Sequence, residues 1–286
     1  MPVTEILVHG AITSAVYAML AVGFTLMFGV ARLLNLAHGT FYMLGAYFTY
    51  TFAVLLSFPL LLAALLAVLL TAGVGWLMER WILRPQRATM IAVLMVSLAF
   101  ALVFEQVVFV LFGSEVINVP SFVDAKFSIG NADVSGQQAL TLVVAVVALA
   151  LLWVLIQHTR VGSAILALSQ DVQAAQYMGI PVNRIYGAVV ALAAALAALA
   201  GVLAGAFLSA SPTMSAPAMT KAFAIVIVGG LGSLPGSILA AVLLGYAETV
   251  VAYLVSSSWT EAVSLSAVLI TLVLRPAGLL GKRVAF

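Results

Sequence analysis

Gln138-Ala-Leu-Thr-Leu-Val-Val-Ala-Val-Val-Ala-Leu-Ala-Leu-Leu-Trp-Val-Leu-Ile-Gln157 lies inside an interval, from Asp133 to Arg160, that holds no Lys, Arg, Asp or Glu. An α-helix rises ~1.5 Å per residue, so ~20 apolar residues cover the hydrocarbon core of a bilayer. The stretch reads as a transmembrane helix. The rest of the chain repeats the pattern: no charge falls between Arg32 and Glu79, or between Arg184 and Lys221. The first of these intervals is long enough for two crossings, with Ser57-Phe58-Pro59 as the break between them. Spans are expected near 6–31, 38–56, 59–78, 89–112, 138–157, 185–208, 217–232, 236–255 and 258–274. The stretch 209–236, interrupted by Pro212, Pro217, Pro235 and several Gly and Ser, is where a broken or re-entrant segment is expected.

Composition agrees. Of 286 residues, 65% are hydrophobic and 7% charged, whereas a soluble domain carries about a quarter charged residues to face water. Lipid has to be the outer solvent. The expected class is an all-α integral membrane protein, a polytopic bundle of about eight to ten transmembrane helices forming one permease domain over 1–286. A net charge of +2 and no basic tract argue against nucleic acid as a partner. With no cysteine, disulfides, thiolate metal sites and cysteine nucleophiles are excluded. Glu5, with no Lys or Arg ahead of the first apolar stretch, argues for a retained first span over a cleaved signal peptide.

Basic residues set the expected orientation. Eight of the eleven fall in three groups: Arg80, Arg84 and Arg87; Arg160 and Arg184; Arg275, Lys282 and Arg283. Lys and Arg accumulate in cytoplasmic loops, so these segments are expected inside. The stretch 113–137, with Glu115, Asp124 and Asp133 against Lys126 alone, is expected to be the main external loop. Alternation at Val116–Val119 suggests a short hairpin within it. Nine spans place the N-terminus outside.

Polar groups within lipid are costly and tend to face the bundle interior or a water-filled route. Asn35, His38, Tyr42 and Glu248 are the candidate residues of a translocation pathway, and Glu105 is a further intramembrane carboxylate near the external loop. Asn35 and His38 sit close to an expected helix end, where satisfying freed backbone groups is at least as good a reading as contact with solute. His9, His38 and His158 lie far apart, and no His-Glu-x-x-His, phosphate loop or nucleophile elbow is present. No catalytic residue, cofactor or metal is expected. Gly201-x-x-x-Gly205 and Gly232-x-x-x-Gly236 read as helix-packing motifs.

The internal loop, about 158–184, carries an amphipathic stretch. Ile165, Leu168, Val172, Ala175 and Met178 recur near a helical period, which predicts one short helix over Ser163–Met178 with Gln170 and Asp171 on its polar face. Gly179, before Ile180-Pro181, is placed to end it. The low positive charge of this helix favours docking into a soluble partner over lying on anionic lipid.

Three stretches carry a resemblance. Phe28-Gly-Val-Ala-Arg-Leu-Leu-Asn-Leu-Ala-His-Gly-Thr-Phe-Tyr-Met-Leu-Gly-Ala-Tyr47, Asp171-x-x-Ala-Ala-x-x-x-Gly-Ile180, and Lys221-Ala-Phe followed by Gly229-Gly-Leu-Gly-Ser-Leu-Pro-Gly236 resemble, in order, the LivH-type permeases of branched-chain amino acid ABC importers. The resemblance covers about 6–281. It implies a multi-pass protein of a bacterial or archaeal cell membrane, partnered by a homologous second permease subunit, two cytoplasmic ATPase subunits and an external solute-binding protein. It also implies that the loop helix is the coupling helix, with Asp171, Ala174, Ala175 and Gly179 as the ATPase-coupling positions. Relatives often carry arginines before the acidic residue where this chain has Ala164-Ile-Leu-Ala-Leu-Ser169. The other reading that remains open is a stand-alone secondary carrier or channel for a small solute such as urea or an amide.

Overall fold

A computed structural model describes residues 3–31, 34–87, 89–129 and 132–281. Arg32, Lys282 and Arg283, which contribute to the charge pattern above, lie outside the described residues. The bundle consists of α1 (Val3–Ala31), α2 (His38–Tyr50, prolonged by a π-helical turn Thr51–Leu55), α3 (Leu60–Met78) running through a π-helical turn (Glu79–Leu83) into the single turn α4 (Arg84–Gln86), α5 (Met90–Phe112), α6 (Gly136–His158), α7 (Arg160–Gln170), α8 (Val172–Tyr177), α9 (Val182–Leu208), α10 (Ser215–Gly229), α11 (Leu234–Leu254) and α12 (Thr260–Leu274). A hairpin of β1 (Lys126–Ile129) and β2 (Ala132–Ser135) precedes α6.

Each expected span coincides with a helix. Among the described residues, seven stretches are long and apolar enough to cross a membrane: Val3–Ala31, Leu60–Gln86, Met90–Phe112, Gly136–His158, Val182–Leu208, Leu234–Leu254 and Ser257–Leu274. The other two expected spans are α2 and α10. With 15 residues, α10 reaches about 22 Å, short of a ~30 Å hydrocarbon core. Such helices are tolerated at membrane depth because protein surrounds them, and almost every residue of α2 is buried. The same contrast sorts the long helices. In α1 and α9 the apolar windows are 78% and 72% buried, against 17% in α5 and 6% in α12. So α1, α2, α9 and α10 form the centre, and α3, α5, α6 and α12 carry exposed Leu and Val such as Leu61, Leu65, Leu69, Leu269 and Val273. Without water to drive apolar burial, close backbone packing holds such a centre together. Gly201 shows how: a Cβ there would run into the Tyr42 carbonyl, so only glycine lets α9 lie this close to α2.

The hairpin lies elsewhere than Val116–Val119. Ile117 instead forms an antiparallel bridge with Ala210, while Lys126–Ser135 pairs as the hairpin. Alternation registers an extended strand without saying what it pairs with, and the Gly130-Asn131 dipeptide was the stronger hairpin signal. The bridge to Ala210 and the Ser209 hydroxyl on Asn118 Oδ1 at 2.7 Å put the described parts of this loop, 113–129 and 132–135, at one end of the bundle with 208–214.

At the other end, Arg87 donates to Asn183 Oδ1 at 3.0 Å and its guanidinium lies 4.4 Å from the Tyr186 ring centre. Leu279 and Leu280 donate backbone N–H groups to Val228 and Gly229 at 2.8 and 3.0 Å. Arg80, Arg84, Arg87, Arg160, Arg184 and Arg275 therefore gather at the end that carries α7 and α8, which the basic-residue bias predicts to be cytoplasmic. Single cysteines at Ser128 and Ser163, both exposed, should be labelled from opposite faces of intact cells. Labelling of both by an impermeant thiol reagent from outside would overturn the orientation.

Candidate functional site

Four helices bring polar side chains together near the 208–214 end of the bundle. Glu248, in the middle of α11, is 4% exposed. Its Oε2 accepts the Tyr17 hydroxyl of α1 at 2.6 Å. Its Oε1 forms an ion pair with Lys221 of α10 and also accepts from Ser264 of α12. Lys221 Nζ further donates to the Thr260 carbonyl at 3.2 Å and to Ser264 Oγ at 3.1 Å. An ammonium has three donors and no acceptor; here all three are used. A carboxylate and an ammonium removed from water persist only when paired and hydrogen-bonded, and this cluster meets both conditions.

Both members of the pair face a cavity of about 530 Å³ that Tyr17, Tyr42 and Thr249 also line. Val16, Leu20, Phe207, Met214, Pro217 and Ala218 give it apolar walls, and Ser209, Ser211 and Thr213 stand toward the end of the bundle. This is the composition of a small-molecule site: mostly apolar walls with a few polar groups that fix orientation.

The structure divides the candidate pathway residues. Tyr42 and Glu248 line the cavity. Asn35 and His38, both fully buried, do not. Asn35 Oδ1 accepts the Ala37 N–H at 3.0 Å, an Asx-type contact at the start of α2. His38 Nε2 lies 2.9 Å from the Leu20 carbonyl, with the ring edge-on to Phe24 and Phe41. These two residues seat α2 against α1. Glu105 accepts the Ser215 hydroxyl at 2.8 Å, joining α5 to the start of α10. Reasoning from sequence missed Lys221 and Tyr17 as partners of Glu248. The available signal was that Lys221 and Glu248 are isolated opposite charges inside apolar helices.

The internal loop is two helices, not one over Ser163–Met178. Asp171 leaves the helical region (φ −150°, ψ 115°) and its Oδ1 accepts the N–H groups of Gln173 and Ala174 at 2.8 and 3.0 Å. A side chain that caps the following turn competes with continuing the preceding one, so the helix breaks there. Thr159 caps α7 in the same manner, accepting from Gly162 N–H at 3.0 Å. Only Thr159 separates α6 from α7, and a Cβ on Gly162 would strike the Leu155 and Ile156 carbonyls in this corner. At the other end Gly179 takes φ +80°, and the Ile180 N–H returns to the Ala175 carbonyl at 3.1 Å, a glycine-ended C-cap.

Within the expected apolar stripe, Ile165, Leu168 and Ala175 are buried in a cluster with Ile185, Tyr186 and Val189 of α9. Val172 and Met178 face outward, the latter 82% exposed, with Tyr177 beside it at 89%. Asp171, Ala174 and Gly179 are exposed. Ala175 is therefore packed against its own chain, and the free apolar surface is carried by Tyr177 and Met178.

Comparison with known proteins gives consistent results. The family model described as the permease component of a branched-chain amino acid transport system matches residues 6–274. The chain is 28% identical to the high-affinity branched-chain amino acid transport system permease protein LivH of Salmonella typhimurium, covering 96% of this chain and 94% of that one. It is 30% identical to the corresponding protein BraD of Pseudomonas aeruginosa, over 96% and 95% of the two chains. Among solved structures it resembles PsaBC from Streptococcus pneumoniae in complex with Fab, with a TM-score of 0.56 at 17% identity over 96% of this chain and 93% of that one; at that identity the likeness speaks for the fold.

Proposed function

The chain belongs to the family of permease components of branched-chain amino acid transport systems, and from that premise we propose that it forms the membrane-spanning path of an ATP-driven importer of branched-chain amino acids. It is a multi-pass protein of the cell membrane and not itself an enzyme. Its partners on this reading are a second, homologous permease subunit, two cytoplasmic ATPase subunits and an external solute-binding protein.

One observation carries the reading: the α7–α8 loop. A stand-alone carrier has no need of an apolar surface at its cytoplasmic end. Here Tyr177 and Met178 project from the end of the short α8, whose other face is seated on α9, and the α7–α8 loop as a whole is joined to α6 through Thr159 and to α9 through Pro181. Such a loop passes a displacement at its tip to two long helices. Asp171 fixes the bend between α7 and α8, Ala174 keeps the exposed side of α8 small, Ala175 anchors it, and Gly179 turns the chain back to the membrane.

The test is reconstitution with the ATPase, second permease and binding-protein subunits in proteoliposomes. Leucine uptake should require ATP on the ATPase side and the binding protein on the other. Uptake by this chain alone, driven only by a solute or ion gradient, would favour the secondary-carrier reading instead.

A further inference from the structure

The Lys221–Glu248 pair admits two uses. As a pin it ties α10, α11 and α12 together, with Tyr17 adding α1. A pin, however, has no reason to face open space, and both of its members line the cavity.

We propose that this pair is the recognition element of a zwitterion site, at which a neutral α-amino acid with an apolar side chain is held by exchange of ion-pair partners. The solute's carboxylate takes the place of Glu248 on Lys221, and its ammonium takes the place of Lys221 on Glu248. The inference rests on the transport reading above and names the chemistry of the site that reading requires.

Charge is the core of the argument. Opening a buried ion pair is costly when either member is left uncompensated. A zwitterion supplies both replacements at once and adds no net charge to the interior. A lone cation would satisfy Glu248 and leave Lys221 facing another cation; a lone anion would do the reverse. The supporting hydrogen bonds remain in place during the exchange: Tyr17 on Glu248 Oε2, and the Thr260 carbonyl and Ser264 hydroxyl on Lys221. The walls formed by Val16, Leu20, Phe207 and Met214 suit an aliphatic side chain and offer nothing to a charged one. About 530 Å³ leaves room for the solute together with water, as a transient site needs.

The absence of cysteine allows occupancy of the cavity to be read directly in the full chain. Ala252 lines the cavity, so an Ala252→Cys protein in lipid nanodiscs is labelled with a small polar thiol reagent, with or without competitor. L-Leucine at millimolar concentration should slow labelling severalfold. Leucinamide, which keeps only the ammonium, and 4-methylpentanoate, which keeps only the carboxylate, should not. Adding Lys221→Met and Glu248→Gln together removes both charges without leaving either unpaired, and protection by leucine should then weaken roughly a hundredfold, the loss of two charge-assisted hydrogen bonds. Equal protection by all three compounds, no protection by leucine, or protection surviving in the doubly substituted chain overturns the proposal. If the doubly substituted chain does not fold, the three competitors on the Ala252→Cys protein still decide. ATP-driven uptake by the reconstituted importer reads the underlying function separately. Selective protection without uptake leaves the site standing and removes the importer; uptake without protection does the opposite.

Discussion

Glu248→Leu is expected to destabilise the bundle by about 3–5 kcal/mol, the usual result of stripping one partner from a buried ion pair. Lys221, with 12% of its side chain exposed, would keep the Thr260 carbonyl and Ser264 hydroxyl but lose its only countercharge in the cluster, and the Tyr17 hydroxyl would lose its acceptor. Thermal stability of the extracted protein and the fraction that remains monodisperse both measure the loss. The informative comparison is Lys221→Met with Glu248→Leu, which removes both charges and leaves an apolar contact of similar volume. Replacing both members of a buried ion pair by packed apolar side chains of similar volume is often neutral or even stabilising, so the double variant should be more stable than Glu248→Leu alone. If single and double variants are equally destabilised, Glu248 matters for its contact with Tyr17 and not for the ion pair. Leucine uptake should be lost in both, since neither retains both of the charges that would hold a zwitterion. A stable double variant with normal uptake would return the pair to a purely structural role.

The architecture was legible because lipid imposes a simple rule. A run such as Gln138–Gln157 can only be a buried or lipid-facing helix, and isolated charges mark where runs end. What composition does not encode is depth. α2 carries His38, Tyr42, Tyr47 and Tyr50 and is less apolar than its neighbours, yet it lies at the centre, where Gly201 and Gly45 let α9 approach it. The cavity was half legible for a related reason. Glu248 stood out as a carboxylate deep in an apolar helix, whereas its partners come from α1, α10 and α12, as many as 231 residues away in sequence, and pairing over such distances has no local signature. Asn35 and His38 stood out equally, yet their contacts are with the start of α2 and with α1, outside the cavity lining. Polarity in a span identifies a residue that must find a partner; whether that partner is backbone, side chain or solute depends on the neighbouring helix. The internal loop shows the same limit on a smaller scale. Its apolar period was correct at Ile165, Leu168 and Ala175, but Asp171 caps rather than continues the helix, so the period slips and Met178 turns outward.

That slip decides where a charge should interrupt coupling. Ala175→Arg and Met178→Asp are expected to fail by different routes. Ala175 is 4% exposed within its own chain, in a cluster with Ile185, Tyr186 and Val189. An arginine there overfills packed space, at about 1–3 kcal/mol for the volume alone and more for an unpaired charge. Because α8 has six residues, the expected response is that α8 lifts off α9 while the membrane helices stay folded. Such a protein should reach the membrane, and a protease should cut it between Asp171 and Pro181. Met178, 82% exposed, has no such role, so Met178→Asp should change stability by no more than about 0.5 kcal/mol. On the ATPase it should cost far more: a carboxylate pressed into an apolar groove without a partner loses about 3 kcal/mol, roughly a hundredfold in affinity. Thermal stability of the permease and co-purification of the ATPase, measured on both variants, separate the two routes. Loss of ATPase from Met178→Asp at unchanged stability places the docking surface on the outward face of α8, with Ala175 as its support. Parental retention of the ATPase by Met178→Asp would mean that this face does not dock, and the importer reading would lose the loop on which it rests.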